Sequence, residues 1–250
     1  MRVMILGGTA EARELARQLE EDPRFSVLSS LAGRVANPRL PVGETRIGGF
    51  GGPSGLAAFL AEERVDALVD ATHPFAATIS RNAALAAESA GVPLLAVVRP
   101  AWAPGPGDAW TRVPTVAAAA ALLAERPGGR AMLTTGRQDA HEFAALDEWW
   151  FLIRVVDAPS GPLPQKHELL RDRGPYTLDS ERALLRAHGI EVLVTKNSGG
   201  DLVSAKLAAA RELGIEVMVV DRPERPAGVP TVPDAGEAFD HLESMTIREG

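Results

Sequence analysis

Arg2-Val3-Met4-Ile5-Leu6-Gly7-Gly8-Thr9-Ala10-Glu11-Ala12-Arg13-Glu14-Leu15 is the stretch that decides the fold. A short apolar run, a Gly-Gly-Thr turn and an Ala/Leu/Arg/Glu segment follow one another without a break. The run has the character of a buried strand, and the segment after the turn has the composition of a helix. The same scheme recurs along the chain. Strands are expected over residues 3–6, 25–31, 44–47, 67–70, 94–98, 131–134, 150–156, 192–195 and 217–220. Helices are expected over 10–21, 54–63, 76–90, 116–125, 139–146, 167–172, 179–188, 203–213 and 235–245, with Asp179 as the cap of one of them. Continuous apolar strands separated by helices imply parallel sheets covered on both faces. The stretch Arg99-Pro100-Ala101-Trp102-Ala103-Pro104-Gly105-Pro106-Gly107 breaks this rhythm and reads as a linker or lid. The expected fold class is α/β: two Rossmann-like domains, residues 1–115 and 116–250, with mainly parallel sheets and an inter-domain cleft.

Composition narrows the function. The chain has 250 residues, 46% hydrophobic and 24% charged, which is ordinary for a globular protein and excludes a disordered one. A net charge of −7 argues against a general nucleic-acid binder. The absence of cysteine excludes disulfides, thiolate metal sites and cysteine nucleophiles. No signal-peptide core and no transmembrane run is seen, so a cytoplasmic location and no membrane partner are expected.

The turns that follow strands are the candidates for chemistry. Gly7-Gly8-Thr9 opens a helix, the context in which glycines let backbone approach a pyrophosphate. The window lacks the full GxGxxG pattern, and a tight structural turn is the competing reading. An NAD site carries an acid near the end of the second strand, about 20 residues on. Here Ser29-Ser30-Leu31-Ala32-Gly33-Arg34 has none. Arg34 offers a planar fork suited to a 2′-phosphate, and hence to NADPH, against the commoner fate of a solvated surface arginine. Gly48-Gly49-Phe50-Gly51-Gly52 brings backbone close to a flat ligand or makes a bend around a packed Phe50.

Asp70-Ala71-Thr72-His73-Pro74-Phe75 lies at the carboxyl end of an expected strand, where open α/β sheets bind ligands. His73 there is a hydrogen-bond donor or acid, or a structural histidine. In the second half, Thr195-Lys196-Asn197-Ser198-Gly199-Gly200 is the counterpart turn. Only Lys166, Lys196 and Lys206 occur among 26 Lys+Arg, so a lysine inside a Ser/Gly turn has the shape of a carboxylate or phosphate anchor. Thr134-Thr135-Gly136-Arg137 is a third anion-friendly turn. Tyr-x-x-x-Lys is absent, since the only tyrosine is Tyr176 and Ser180 stands four residues on. A Gly-x-Ser-x-Gly elbow, a Walker loop and His-Glu-x-x-His are missing as well, and no metal site is expected.

Taken in order, Met4–Ala12, Leu31-Ala32-Gly33-Arg34, the Gly48–Gly52 turn, Asp70–Phe75, Arg99-Pro100-Ala101-Trp102 and Thr195–Gly200 resemble the precorrin-6A reductases of cobalamin biosynthesis, from Val3 to about Pro223. The resemblance implies a two-domain α/β fold and NADPH-dependent reduction of one macrocycle double bond, giving precorrin-6B. Related enzymes use a cobalt-containing substrate. Gly7, Gly8, Thr9, Arg34, Gly49, Phe50 and Thr72 are then the cofactor residues, and Arg137, Lys196, Asn197, Ser198, Gly199 and Gly200 hold substrate carboxylates. His73 or Lys196 influences the proton step. Two rival readings are a non-catalytic NADP(H) sensor and an NADPH reductase of another anionic metabolite. Nothing in the sequence speaks to oligomeric state.

Overall fold

The structure, a computed structural model, describes residues 1–33, 39–201 and 203–248. The first elements are β1 (Arg2–Leu6), α1 (Ala10–Glu20), β2 (Ser26–Leu31), β3 (Glu44–Ile47), α2 (Pro53–Glu62), β4 (Ala67–Asp70), α3 (Ala77–Ala90) and β5 (Leu94–Val97). Next come β6 (Trp110–Val113), α4 (Val116–Ala124), β7 (Gly129–Thr134), a 3₁₀ turn (Ala140–Phe143), β8 (Trp149–Val155) and β9 (His167–Arg171). Then follow α5 (Leu178–Ala187), β10 (Val192–Lys196), α6 (Ala205–Leu213), β11 (Glu216–Val220), β12 (Thr231–Val232) and α7 (Ala235–Arg248).

These elements form two six-stranded sheets, and every strand pair is parallel. The first runs β12-β5-β4-β1-β2-β3, the second β6-β11-β10-β7-β8-β9. Read from its own first central strand, each follows the doubly wound plan, in which chain direction across the sheet reverses beside that strand. The reversals fall between β1 and β4, and between β7 and β10.

The period of two along β1 explains the layers. Val3 and Ile5 face a core with Ala12, Leu15, Ala16 and Leu19 of α1. Met4 and Leu6 face the opposite one, with Leu56, Leu60, Ala83 and Ala87 of α2 and α3. Both sides of the strand are dry, so its run needs no polar alternation. Leu15 and Leu19 are fully buried, each contributing roughly 1.5–3 kcal/mol. In the second sheet Met132, Leu152, Leu193 and Val217 face Leu185, Leu207 and Ala210.

The two compact units are Met1–Pro100 with Pro223–Gly250, and Ala101–Arg222. This corrects the division expected at 115/116. Strand β6, unforeseen, pairs with β11, which draws the preceding segment into the second unit. Strand β12, also unforeseen, pairs with β5, and α7 lays Ala235, Ala238 and Leu242 into the core of α1.

Three further expectations fail locally. Residues 167–172 were expected as helix, but His167–Arg171 is an edge strand on β8. Glu, Leu and Arg favour helix, yet so short a segment cannot meet the cost of nucleation, and pairing decides. The helix expected over 139–146 is a single 3₁₀ turn. Helix α5 is capped by Thr177, whose hydroxyl forms a capping box with Ser180, rather than by Asp179.

Gly55 in α2 supports the glycine turn before it. A Cβ there would lie 1.8 Å from the carbonyl oxygen of Phe50, which is backbone and cannot swing away. Gly55→Ala is expected to cost about 1–3 kcal/mol and to displace residues 48–52, seen as a lowered urea midpoint.

Candidate active site

At the reversal point of the first sheet, the loops after β1 and β4 are tied together. Thr9 caps α1, its hydroxyl accepting from the Ala12 amide at 3.1 Å and donating to the Ala71 carbonyl at 2.8 Å. The ladder continues past the strands, with Gly7 N donating to Ser30 O and Ala71 N to Leu6 O. Gly7 is packed, since a Cβ would lie 3.3 Å from that of Ala12. Gly8 has φ +117 and open space where a side chain would be, the geometry of a backbone cradle. Glu11 lies in the first turn of α1 and pairs with Arg99 at 3.0 Å. Burial raises its pKa, but its own backbone N–H, Arg99 and Thr9 outweigh that and leave it lowered. A carboxylate therefore shares this helix start, and the room for another anion lies on the Gly8 side.

Asp70, 3% exposed, ends β4 and accepts from the backbone and hydroxyl of Thr72 at 3.1 and 2.6 Å. Arg225 stands 3.5 Å from the same carboxylate. His73 is exposed, and its Nδ1 accepts from the Phe75 amide at 3.2 Å. In its neutral form the ring proton is therefore on Nε2.

The turn after β3 has left-handed backbone at Gly48, Gly51 and Gly52, with φ of 130, 74 and 103°. No atom lies within 4 Å of where a Cβ would stand on Gly48, Gly49, Gly51 or Gly52. Arg46 holds this turn, donating to the carbonyls of Gly48 and Gly49 at 2.9 and 3.1 Å.

The second sheet repeats the arrangement with different chemistry. Lys196 closes β10 and donates to Asp139 at 2.5 Å, linking the loops after β10 and β7. Asn197 clips Trp102, accepting from its amide at 2.8 Å and donating to its carbonyl at 3.0 Å. Arg222 takes the carbonyls of Asn197 and Ser198 at 2.8 and 3.1 Å, and the Trp102 indole takes that of Gly200 at 2.9 Å. With those carbonyls held, the amides of Gly199 and Gly200, at φ 68 and 75°, donate to no acceptor among the described residues. Thr135, 4% exposed, also leaves its hydroxyl without a partner. Beside it a polar cavity of about 370 Å³ is lined by Arg137, Gln138, His141, Pro159, Ser160 and Pro162. The loops at this point offer two cations and several free donors.

Beneath the Asn197–Gly200 loop lies a buried charge cluster. Arg154 of β8 grips Glu181 of α5 through two bonds of 2.5 and 3.0 Å. Lys206 of α6, 4% exposed, donates to Val203 O at 2.7 Å and sits 4.6 Å from the Trp102 ring centroid. Burial, with repulsion from Arg154, pulls the Lys206 pKa from 10.5 down to about 7, against the attraction of Glu181. Between those two values the folded chain binds fewer protons than the unfolded one, so stability rises with pH from about 7 to 10.5. Lys206→Met is expected to flatten that slope, which is at most about 1.4 kcal/mol per pH unit. Urea titrations at three alkaline pH values measure it.

Most residues singled out from sequence stand at these two points or on the adjoining turn at Gly49 and Phe50. Arg34 lies outside the described residues. Thr72 and Asn197 are present but committed: one to Asp70, the other to Trp102. Sequence reasoning missed Arg46, Asp139, Arg222 and Arg225. Only Arg46 had a local signal, a cation directly preceding a glycine-rich turn.

Comparison with known proteins gives this arrangement its context. A family model described as "Precorrin-6x reductase CbiJ/CobK" matches residues 2–243. The chain belongs to the precorrin-6x reductase family. The precorrin-6A reductase of Rhodococcus erythropolis is 51% identical over 99% of this chain and 99% of that protein. The solved structure titled "CobK precorrin-6A reductase" superposes with a TM-score of 0.91 at 41% identity, covering 98% of this chain and 96% of that one. A cobalt-precorrin-6A reductase of Priestia megaterium is 32% identical over 89% of this chain and 91% of its own. As a member of the precorrin-6x reductases the chain is an oxidoreductase, and a nicotinamide cofactor goes with that family. No described helix is long and apolar enough to cross a membrane.

Proposed function

We propose that this chain reduces precorrin-6A to precorrin-6B with NADPH, as a step of cobalamin biosynthesis. The observation that carries the reading is the full-length 51% identity to a precorrin-6A reductase, against 32% to a cobalt-precorrin-6A reductase. It favours the metal-free macrocycle. The first unit takes the nucleotide. Gly8, Gly49, Gly51 and Gly52 leave space that Cβ atoms would fill, so the turns fit a dinucleotide lying against backbone. Gly7 and Thr9 shape the loop, Phe50 lines it, and Thr72 fixes the rim next to His73. Arg34 is assigned the 2′-phosphate. When bound, the dihydronicotinamide supplies a hydride to one carbon of the macrocycle.

The second unit takes the substrate's acetate and propionate arms. Lys196, held in place by Asp139, meets one carboxylate together with Ser198 and the amides of Gly199 and Gly200, while Asn197 keeps their loop in place. Arg137 binds a second in the adjoining cavity, which at about 370 Å³ is at the small end of ligand sites and suits an arm rather than a whole macrocycle. One proton completes the reduction, delivered under the influence of His73 Nε2 or of Lys196.

The test is incubation with purified precorrin-6A and either NADPH or NADH. A gain of two hydrogens by mass, with a changed visible spectrum, is expected with NADPH. Tight NADPH binding with no gain in mass overturns the reading in favour of a sensor, and turnover only of cobalt-precorrin-6A assigns the other substrate.

A further inference from the structure

Arg46 is half-buried against two aromatic rings and backbone carbonyls, with no carboxylate among the described residues paired to it. Its guanidinium lies 3.9 Å from the Phe50 ring centroid and 4.9 Å from that of Phe59. The two rings meet edge to face at 5.3 Å. Nη1 donates to Ser30 Oγ at 3.0 Å and to Gly48 O at 2.9 Å, and Nη2 donates to Gly49 O at 3.1 Å. No described carboxylate reaches it, and burial alone shifts its pKa, downward. Arg2, Arg99, Arg126 and Arg154, by contrast, each face a carboxylate.

A guanidinium has five N–H donors, and three are committed here. The Nε–H and one Nη2–H remain. The stack on Phe50 fixes the plane of the fork, so little freedom is lost when those two donors meet an anion. Position supplies the ligand. Ser30 stands next to the end of β2, where a dinucleotide fold reads the ribose of its cofactor, and here it is bonded to a cation. An acid at that place accepts ribose hydroxyls, whereas a cation there attracts a phosphate on the ribose.

We propose that Arg46 is a specificity-determining residue for the phosphorylated ribose, with its two remaining donors on the phosphate and its other three shaping the Gly48–Gly49 turn. This rests on the dinucleotide reading above and adds to it a residue placed by geometry. The alternative is a purely structural clamp, and the two differ in what they discriminate.

The probes are 2′,5′-ADP and 5′-ADP, titrated calorimetrically into the full-length protein. Wild type is expected to bind 2′,5′-ADP more tightly. Arg46→Met is expected to weaken 2′,5′-ADP by about 10–100-fold, the range for a lost charge-assisted contact, and 5′-ADP by much less. Arg46→Lys, which keeps the charge but not the planar fork, falls between the two and decides the matter if the Met variant does not fold. Equal weakening of both nucleotides, or no weakening, overturns the role in specificity. A wild type that does not distinguish the probes overturns the NADPH reading and Arg46's role together, whereas a wild-type preference that survives both substitutions overturns Arg46 alone.

Discussion

Replacing Glu181 by Gln is expected to destabilise the fold by about 3–5 kcal/mol, the range for removing one partner of a buried ion pair. The side chains of Arg154 and Glu181 are 5% and 2% exposed, so water cannot replace the lost charge. The carboxylate has a second task. It stabilises the charged form of Lys206 while Arg154 opposes it, so Glu181 moderates two buried cations. Gln is isosteric and removes only the charge. Chemical denaturation at pH 7 measures the loss, and a loss below about 1 kcal/mol would refute the buried-pair account. The double variant Glu181→Gln/Lys206→Met is expected to recover part of the stability, because a single cation then remains. Neighbours in one network are not additive, and the cycle reads out that coupling.

The second large effect concerns Lys196. Lys196→Met is expected to lower kcat/KM for precorrin-6A by about 10²–10³-fold, with NADPH affinity little changed. Loss of a charge-assisted bond to a carboxylate accounts for about 1.5–3 kcal/mol of this. The remainder comes from Asp139, which without the ammonium 2.5 Å away would present a bare negative charge to a polyanionic substrate. Adding Asp139→Asn to Lys196→Met is therefore expected to restore part of the activity, an outcome that general damage to the loop would not produce. Steady-state kinetics on wild type, Lys196→Met and the double variant make the test, and unchanged substrate affinity and turnover in Lys196→Met would remove its role.

The two sheets were legible in the sequence because their decisive signals are local. Val3–Thr9 announces strand, turn and helix within a few residues, and Val192–Gly200 does so again. Strands β6, β9 and β12 were not legible. Their identity comes from partners far along the chain, and in β9 the local preference of Glu168, Leu169 and Leu170 points to helix. The same contrast runs through the candidate site. Gly8, Lys196 and Arg137 stand out by their place after strands, whereas Arg222 and Arg225 look like any of the chain's many arginines until the fold brings them to Asn197 and Asp70.

The return of Pro223–Gly250 to the first unit has a consequence for how the molecule is made. During synthesis the N-terminal hundred residues emerge first yet lack both the strand that closes their sheet at β5 and the residues that cover Leu15 and Leu19. The segment Ala101–Arg222 has its full set of strands before those pieces leave the ribosome. The half begun earliest is thus the half finished last, and a nascent chain halted near Arg222 would carry a completed inner module flanked by a bare apolar helix face and an open sheet edge, a natural target for chaperones.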